Sequence, residues 1–183
     1  MTMVIACLLI LVTGWSITTY GLTLLALCWI TLGSGLVALA VIDARTKLLP
    51  DALTLPLMWL GIAMQLFPAT RTIGLEASVW GAIAGYVPLW LLAHLYRLLR
   101  GRDGLGFGDL KLLAAMGAWS GAWVLPSVVF VASLLGLVGV LSARFVRRRR
   151  RDGHEWHAEF PFGPWLIAAY MLCLAPGFNM WRL

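Results

Sequence analysis

Two aspartates carry the chemistry that this sequence offers. Asp43 closes an apolar run in VALAVIDARTKLLPDALTLP, and Asp109 opens another in GLGFGDLKLL. Two carboxylates brought together at low dielectric cannot both ionise cheaply, so they share a proton and one acts as acid while the other acts as base. A water held between them can lose its proton to one Asp while the other protonates or polarises a scissile carbonyl, and burial strengthens the coupling. Such a pair hydrolyses a peptide bond without serine, cysteine or metal. Simpler duties remain open for each residue alone. Asp109 has the type and place of a helix N-cap, and Asp43 those of an interfacial acid paired with Arg45 or Lys47.

Around the pair stand residues that could support it. Gly104, Gly106 and Gly108 give the chain before Asp109 freedom and allow another backbone to come near, which suits recognition of an extended peptide. Asp51 follows Pro50 at the start of an apolar segment and fits a cap of that helix, with positioning of the neighbouring loop as its second use. Lys111 lies two residues past Asp109 and fits a helix-interface anchor. Asp103 sits in a hydrophilic turn, Glu76 falls on the opposite membrane face from the pair, and His94 reads as a packing residue. His154 and His157, with Glu155 and Glu159 nearby, form an HxxH tract that lacks the HExxH pattern of zinc hydrolases. No G-x-S-x-G elbow and no phosphate-binding loop occurs. Cys7, Cys28 and Cys173 are isolated in apolar surroundings and read as packing residues, so no metal site is expected.

The elements that must position the two acids follow from composition. Of 183 residues, 61% are hydrophobic and 12% charged, and the mean hydropathy is +0.89. Soluble domains carry about 25% charge, so this is an all-α polytopic membrane protein with little mass outside the bilayer. Residues 1–42, 52–70, 77–96, 112–143 and 160–181 lack Asp, Glu, Lys and Arg. A span needs about 20 residues, so the first run divides in two. Residues 112–143 as a single helix would be about 48 Å long, against a core of about 30 Å, and Pro126 offers a place to turn. Seven helices result, over 2–19, 22–42, 53–68, 77–96, 111–124, 127–145 and 162–178. The fifth is short, which implies a tilt or a water-lined cleft.

Charge supports that count. With seven spans and a cytoplasmic N-terminus, the inside loops hold twelve of the fourteen basic residues, leaving Arg71 and Arg182 outside. Merging the divided pair would place seven on each side, and the positive-inside rule favours the first arrangement. Asp43 and Asp109 then end their spans on the same, cytoplasmic side. The formal charge of +6 rests largely on the arginines at 147–151, which read as an anchor at anionic membrane lipid rather than a nucleic-acid site. The spacings of Gly81 with Gly85 and of Gly117 with Gly121 permit close helix contact. No repeat or linker divides the chain, so one domain over 1–183 is expected.

IDARTKLLPDALTLPLMWLG and GLGFGDLKLLAAMGAWSG resemble, in order, the two signature regions of the type IV prepilin peptidases, a family of GxGD membrane aspartic proteases. PFGPWLIAA, at 161–169, is similar to a segment before the last span of those enzymes. The resemblance puts the family's catalytic aspartates on Asp43 and Asp109, its motif glycines on Gly106 and Gly108, and a commonly acidic supporting position on Asp51. It implies cleavage of the basic leader from type IV prepilins or type II secretion pseudopilins, at the cytoplasmic face of the bacterial inner membrane, where seven spans from a cytoplasmic N-terminus leave the C-terminus periplasmic. Bifunctional members carry an N-terminal cytoplasmic region, often with paired CxxC motifs, and also methylate the new N-terminus with S-adenosylmethionine. Here the first span starts almost at Met1 without those cysteines, so proteolysis is expected and methylation is not. Two other classes compete: a noncatalytic assembly subunit that holds a pilin-like helix, and a small cation or proton transporter using the two acids. Against transport, no polar path continues across the helices.

Overall fold

The computed structural model describes residues 2–101, 106–150 and 161–175, with the side chains of residues 2, 4 and 143–150 excepted. The described residues form seven α-helices: α1 (Thr2–Tyr20), α2 (Leu24–Thr46), α3 (Asp51–Ala63), α4 (Leu75–Arg100), α5 (Phe107–Ser120), α6 (Leu125–Arg150) and α7 (Gly163–Leu174). Short 3-10 turns extend α3 over Met64–Leu66 and precede α6 over Ala122–Val124. The chain is an all-α, multi-pass membrane protein. Leu24–Thr46, Leu75–Arg100 and Ala122–Ser142 are long and apolar enough to cross a bilayer by length and composition, and the remaining apolar helices are shorter.

Local chemistry sets the helix ends. Thr23 caps α2, its hydroxyl accepting from the Ala26 N–H at 3.3 Å. At the other end Lys47 adopts a left-handed conformation (φ 55°), and its N–H closes onto the Asp43 carbonyl at 2.8 Å. Gln65 organises the turn before α4: its side-chain oxygen accepts the N–H groups of Thr72, Ile73 and Gly74. A buried amide thus replaces water as partner for backbone that has left regular structure.

The boundary between α5 and α6 differs from the sequence expectation. The chain turns at Gly121 (φ 81°), not at Pro126, which lies in the first turn of α6. A positive φ suits glycine, whereas proline fits an N-terminal turn whose N–H groups lack helical partners anyway. The fifth helix also starts earlier than expected, at Phe107 rather than 111.

The core explains why α5 is short. Leu110 and every residue from Leu112 to Trp119 are buried. Burial on all of its faces, rather than its apolar composition, places α5 inside the bundle and away from lipid. Neighbouring helices approach it closely where side chains vanish. A Cβ on Gly81 would fall 2.1 Å from the Gly117 carbonyl oxygen, and one on Gly85 would fall 2.5 Å from that of Leu113. The small-residue spacings in α4 and α5 therefore meet each other, backbone against backbone. Ser78 adds a hydrogen bond to the Ala118 carbonyl at 2.6 Å, and the Trp119 indole donates to Leu57 of α3 at 2.8 Å. Gly139 of α6 admits the Trp165 ring of α7. The central helix that carries Asp109 is thus fixed from several sides.

Candidate active site

Asp43 occupies the last turn of α2 and is buried, at 5% exposure. A carboxylate at a helix C-terminus faces the negative end of the helix dipole and needs a donor from elsewhere. That donor is the Gly163 N–H at the start of α7, which reaches Asp43 Oδ2 at 3.1 Å. Asp109 is the third residue of α5, near the positive end of its helix. Its own N–H bonds to the Gly106 carbonyl at 3.1 Å. Gly106 takes the N-cap position instead of Asp109, so the simple capping duty does not describe this aspartate. Asp109 is half-buried and close enough to Asp43 to feel its charge. The end of α2 and the start of α5 therefore bring the two acids into one neighbourhood.

The glycines of the motif act through space as much as through flexibility. A Cβ on Gly106 would stand 3.3 Å from Asp109 Oδ2, so glycine leaves the edge of that carboxylate clear. Gly108 lies within α5, and a Cβ there would approach Leu49 Cβ to 2.8 Å. The short connection between α2 and α3 rests on this missing side chain. The space left by both glycines is taken by side-chain atoms of the chain itself, not by backbone. Gly104 lies outside the described residues.

Asp51 and Lys111 form a unit that the sequence did not pair. The Lys111 ammonium binds both Asp51 carboxylate oxygens at 2.6 Å across 60 positions. Asp51 is the first residue of α3, with Pro50 at the cap, and its side chain faces α5 rather than closing its own helix. This corrects the capping duty expected of Asp51, while Lys111 serves as the expected interface anchor. Glu76 is remote from the acids. It shares a hollow with Arg71, Trp80, Gly121 and Trp123 at the opposite end of α5. His94 packs against Trp90, with ring centres 4.2 Å apart and planes inclined by 36°. Asp103, Asp152, His154, Glu155, His157 and Glu159 lie outside the described residues, as do Arg102, Arg151 and Arg182. Among the described residues, no three His, Cys, Asp or Glu side chains converge as a metal would require.

Gly163 is the participant that sequence reasoning missed. Its segment stands out by resemblance, but nothing in the local pattern shows that a glycine 120 positions after Asp43 would meet its carboxylate. A family model described as the Type IV leader peptidase family matches residues 30–141, a stretch that includes both acids. The chain belongs to the Type IV leader peptidase family. It is 42% identical over 159 residues to a prepilin leader peptidase/N-methyltransferase of Neisseria gonorrhoeae, covering 84% of this chain and 52% of the relative. A protein of the same description from Dickeya chrysanthemi is 49% identical over 133 residues, covering 73% of this chain and 44% of the relative. One from Pseudomonas aeruginosa is 38% identical over 173 residues, covering 94% and 57%. The chain spans about half the length of the curated relatives it matches. No solved structure matches it.

Proposed function

We propose that this member of the Type IV leader peptidase family is a membrane aspartic endopeptidase. Its substrates are type IV prepilins or type II secretion pseudopilins, from which it removes the basic leader at the cytoplasmic face. The observation that carries this reading is a buried Asp43, at the end of α2, within electrostatic reach of Asp109, at the start of α5. The ionised member of the pair takes a proton from water, and the resulting hydroxide attacks the scissile carbonyl carbon. The protonated member gives its proton to the carbonyl oxygen. As the tetrahedral intermediate collapses, the C–N bond breaks and a proton passes to the leaving amine. Proteolysis by this route needs no cofactor.

In this reading all seven helices cross the inner membrane as one domain over 1–183, with the N-terminus cytoplasmic and the C-terminus periplasmic. Charge supports that orientation, because Arg45, Lys47, Arg97, Arg100 and Lys111 then share the side on which the acids lie. A leader can remain in the cytoplasm there while the apolar helix that follows it stays in lipid. Gly106 and Gly108 shape the surroundings of Asp109, and the Asp51–Lys111 pair ties α3 to α5 beside it.

The decisive test reconstitutes the 183-residue chain in vesicles with a precursor bearing a basic leader and an apolar helix, then reads the product N-terminus by mass. The expected product begins just after the leader, and an intact precursor would overturn the reading. A product heavier by one methyl group in the presence of S-adenosylmethionine would add a transferase activity that this reading does not include.

A further inference from the structure

The start of α7 presents a single free backbone donor to the acid at the end of α2. Gly163 is the first residue of α7, and its N–H meets Asp43 Oδ2 at 3.1 Å in a buried setting. The next residue, Pro164, has no N–H. The N–H groups of Trp165 and Leu166 are both directed to the Phe162 carbonyl, at 3.1 Å each. The first turn of a helix ordinarily exposes several unsatisfied donors. Here proline and the Phe162 carbonyl remove the rest, so the contact is one donor to one oxygen.

Sterics enforce the same pairing. A Cβ at position 163 would lie 2.6 Å from Asp43 Oδ2, 3.1 Å from Cγ and 3.5 Å from Cβ. No rotation of an added methyl group relieves this, because a Cβ is fixed by the backbone. The carboxylate itself would have to turn away. The backbone of α7 has little freedom to retreat, since the Trp165 ring is seated on Gly139 of α6 and Leu166, Ile167, Ala169 and Tyr170 are buried. The positive end of α7 also opposes the negative end of α2 at the point where Asp43 sits.

We infer that Gly163 is a positioning residue for Asp43: its N–H holds Oδ2 and its missing side chain admits the carboxylate, which leaves Oδ1 to engage the reacting water. The inference rests on the two-carboxylate reading of the site. It assigns to the first residue of α7 a duty within the same centre, although α7 lies outside the 30–141 match.

Gly163→Ala in the full 183-residue chain tests it with two readouts. Turning the carboxylate misplaces a reacting group by about 1 Å, so kcat should fall about 100-fold. KM for the precursor should stay within about 3-fold, because the substrate contacts remain. The second readout needs no substrate. The drop in the thermal midpoint of the detergent-purified chain caused by Gly163→Ala is measured in the native background and with Asp43→Ala. With the carboxylate removed, that drop should shrink to less than half. If Gly163→Ala alone fails to accumulate, accumulation of the double variant supports the contact and its failure to accumulate overturns it. An unchanged kcat, or an equal thermal penalty in both backgrounds, also overturns the inference. If the native chain cleaves no precursor, the proteolytic reading fails while the thermal comparison still reports on the contact.

Discussion

Two pairs of charged side chains lie at the same end of the bundle and follow opposite rules. Asp51 and Lys111 are matched in charge, meet at 2.6 Å, and are 55% and 27% exposed. Asp43 and Asp109 are matched in sign, and Asp43 is only 5% exposed. The first pair is what a protein builds to join two helices where water screens the charges. The second is costly for stability and is retained where two acids must exchange a proton. Asparagine at either member of the acidic pair should produce the largest effect of any substitution here. Asp43→Asn and Asp109→Asn each should lower cleavage by at least about 1,000-fold, and the double variant should lose little more, because the two acids act as one unit. The side-chain amide introduced by Asp43→Asn keeps an oxygen for the Gly163 N–H, so membrane abundance should hold. Product mass and initial rate on the reconstituted precursor measure this, and native-rate cleavage by either variant would end the two-acid mechanism.

A smaller effect should come from the seat on which the two contacts meet. Leu49, in the connection between Asp43 and Asp51, rests on Gly108 with only 2.8 Å available between its Cβ and an added one. Alanine normally favours a helix over glycine by about 1 kcal/mol. Overpacking costs about 1–3 kcal/mol, and a Cβ-to-Cβ clash cannot be relieved by a rotamer change. The clash should therefore win. Gly108→Ala is expected to lower thermal stability and to slow cleavage by about 10-fold, through displacement of the α2–α3 connection. A variant as stable and as fast as the native chain would show that the connection is not held in place by this contact.

The two contacts also differ in how far a sequence reader could see them. The helices were legible because apolar length and charge-free runs are local properties. So was the shared side of Asp43 and Asp109, through the uneven distribution of arginine and lysine. The end of α5 was misplaced because Pro126 is a stronger local punctuation mark than Gly121, yet proline is comfortable in a first helical turn. The partner of Asp51 lies 60 positions away and that of Gly163 lies 120 away. Neither distance leaves a periodic trace. The glycines of α4 and α5 were recognisable as able to pack closely, but which helix each would meet depended on the bundle.

The exposed pair provides the gentlest test of the comparison. Removing one partner of an exposed ion pair changes stability by about 0–1 kcal/mol. Structure alone therefore predicts almost nothing for Lys111→Met or Asp51→Asn. Position predicts slightly more, because Lys111 is two residues from Asp109 on the same helix. Asp51→Asn leaves an unmatched ammonium beside the two acids, whereas Lys111→Met leaves an unmatched carboxylate. Each should slow cleavage about 2–5-fold at low ionic strength, and the loss should shrink in high salt as screening shortens the reach of the unmatched charge. The double variant Asp51→Asn with Lys111→Met removes both charges and should recover most of the native rate. Initial rates of the four proteins at two salt concentrations decide the matter. If the double variant is as slow as the slower single one in both salts, the bridge acts by holding α3 against α5, and its charge balance is irrelevant to the neighbouring acids.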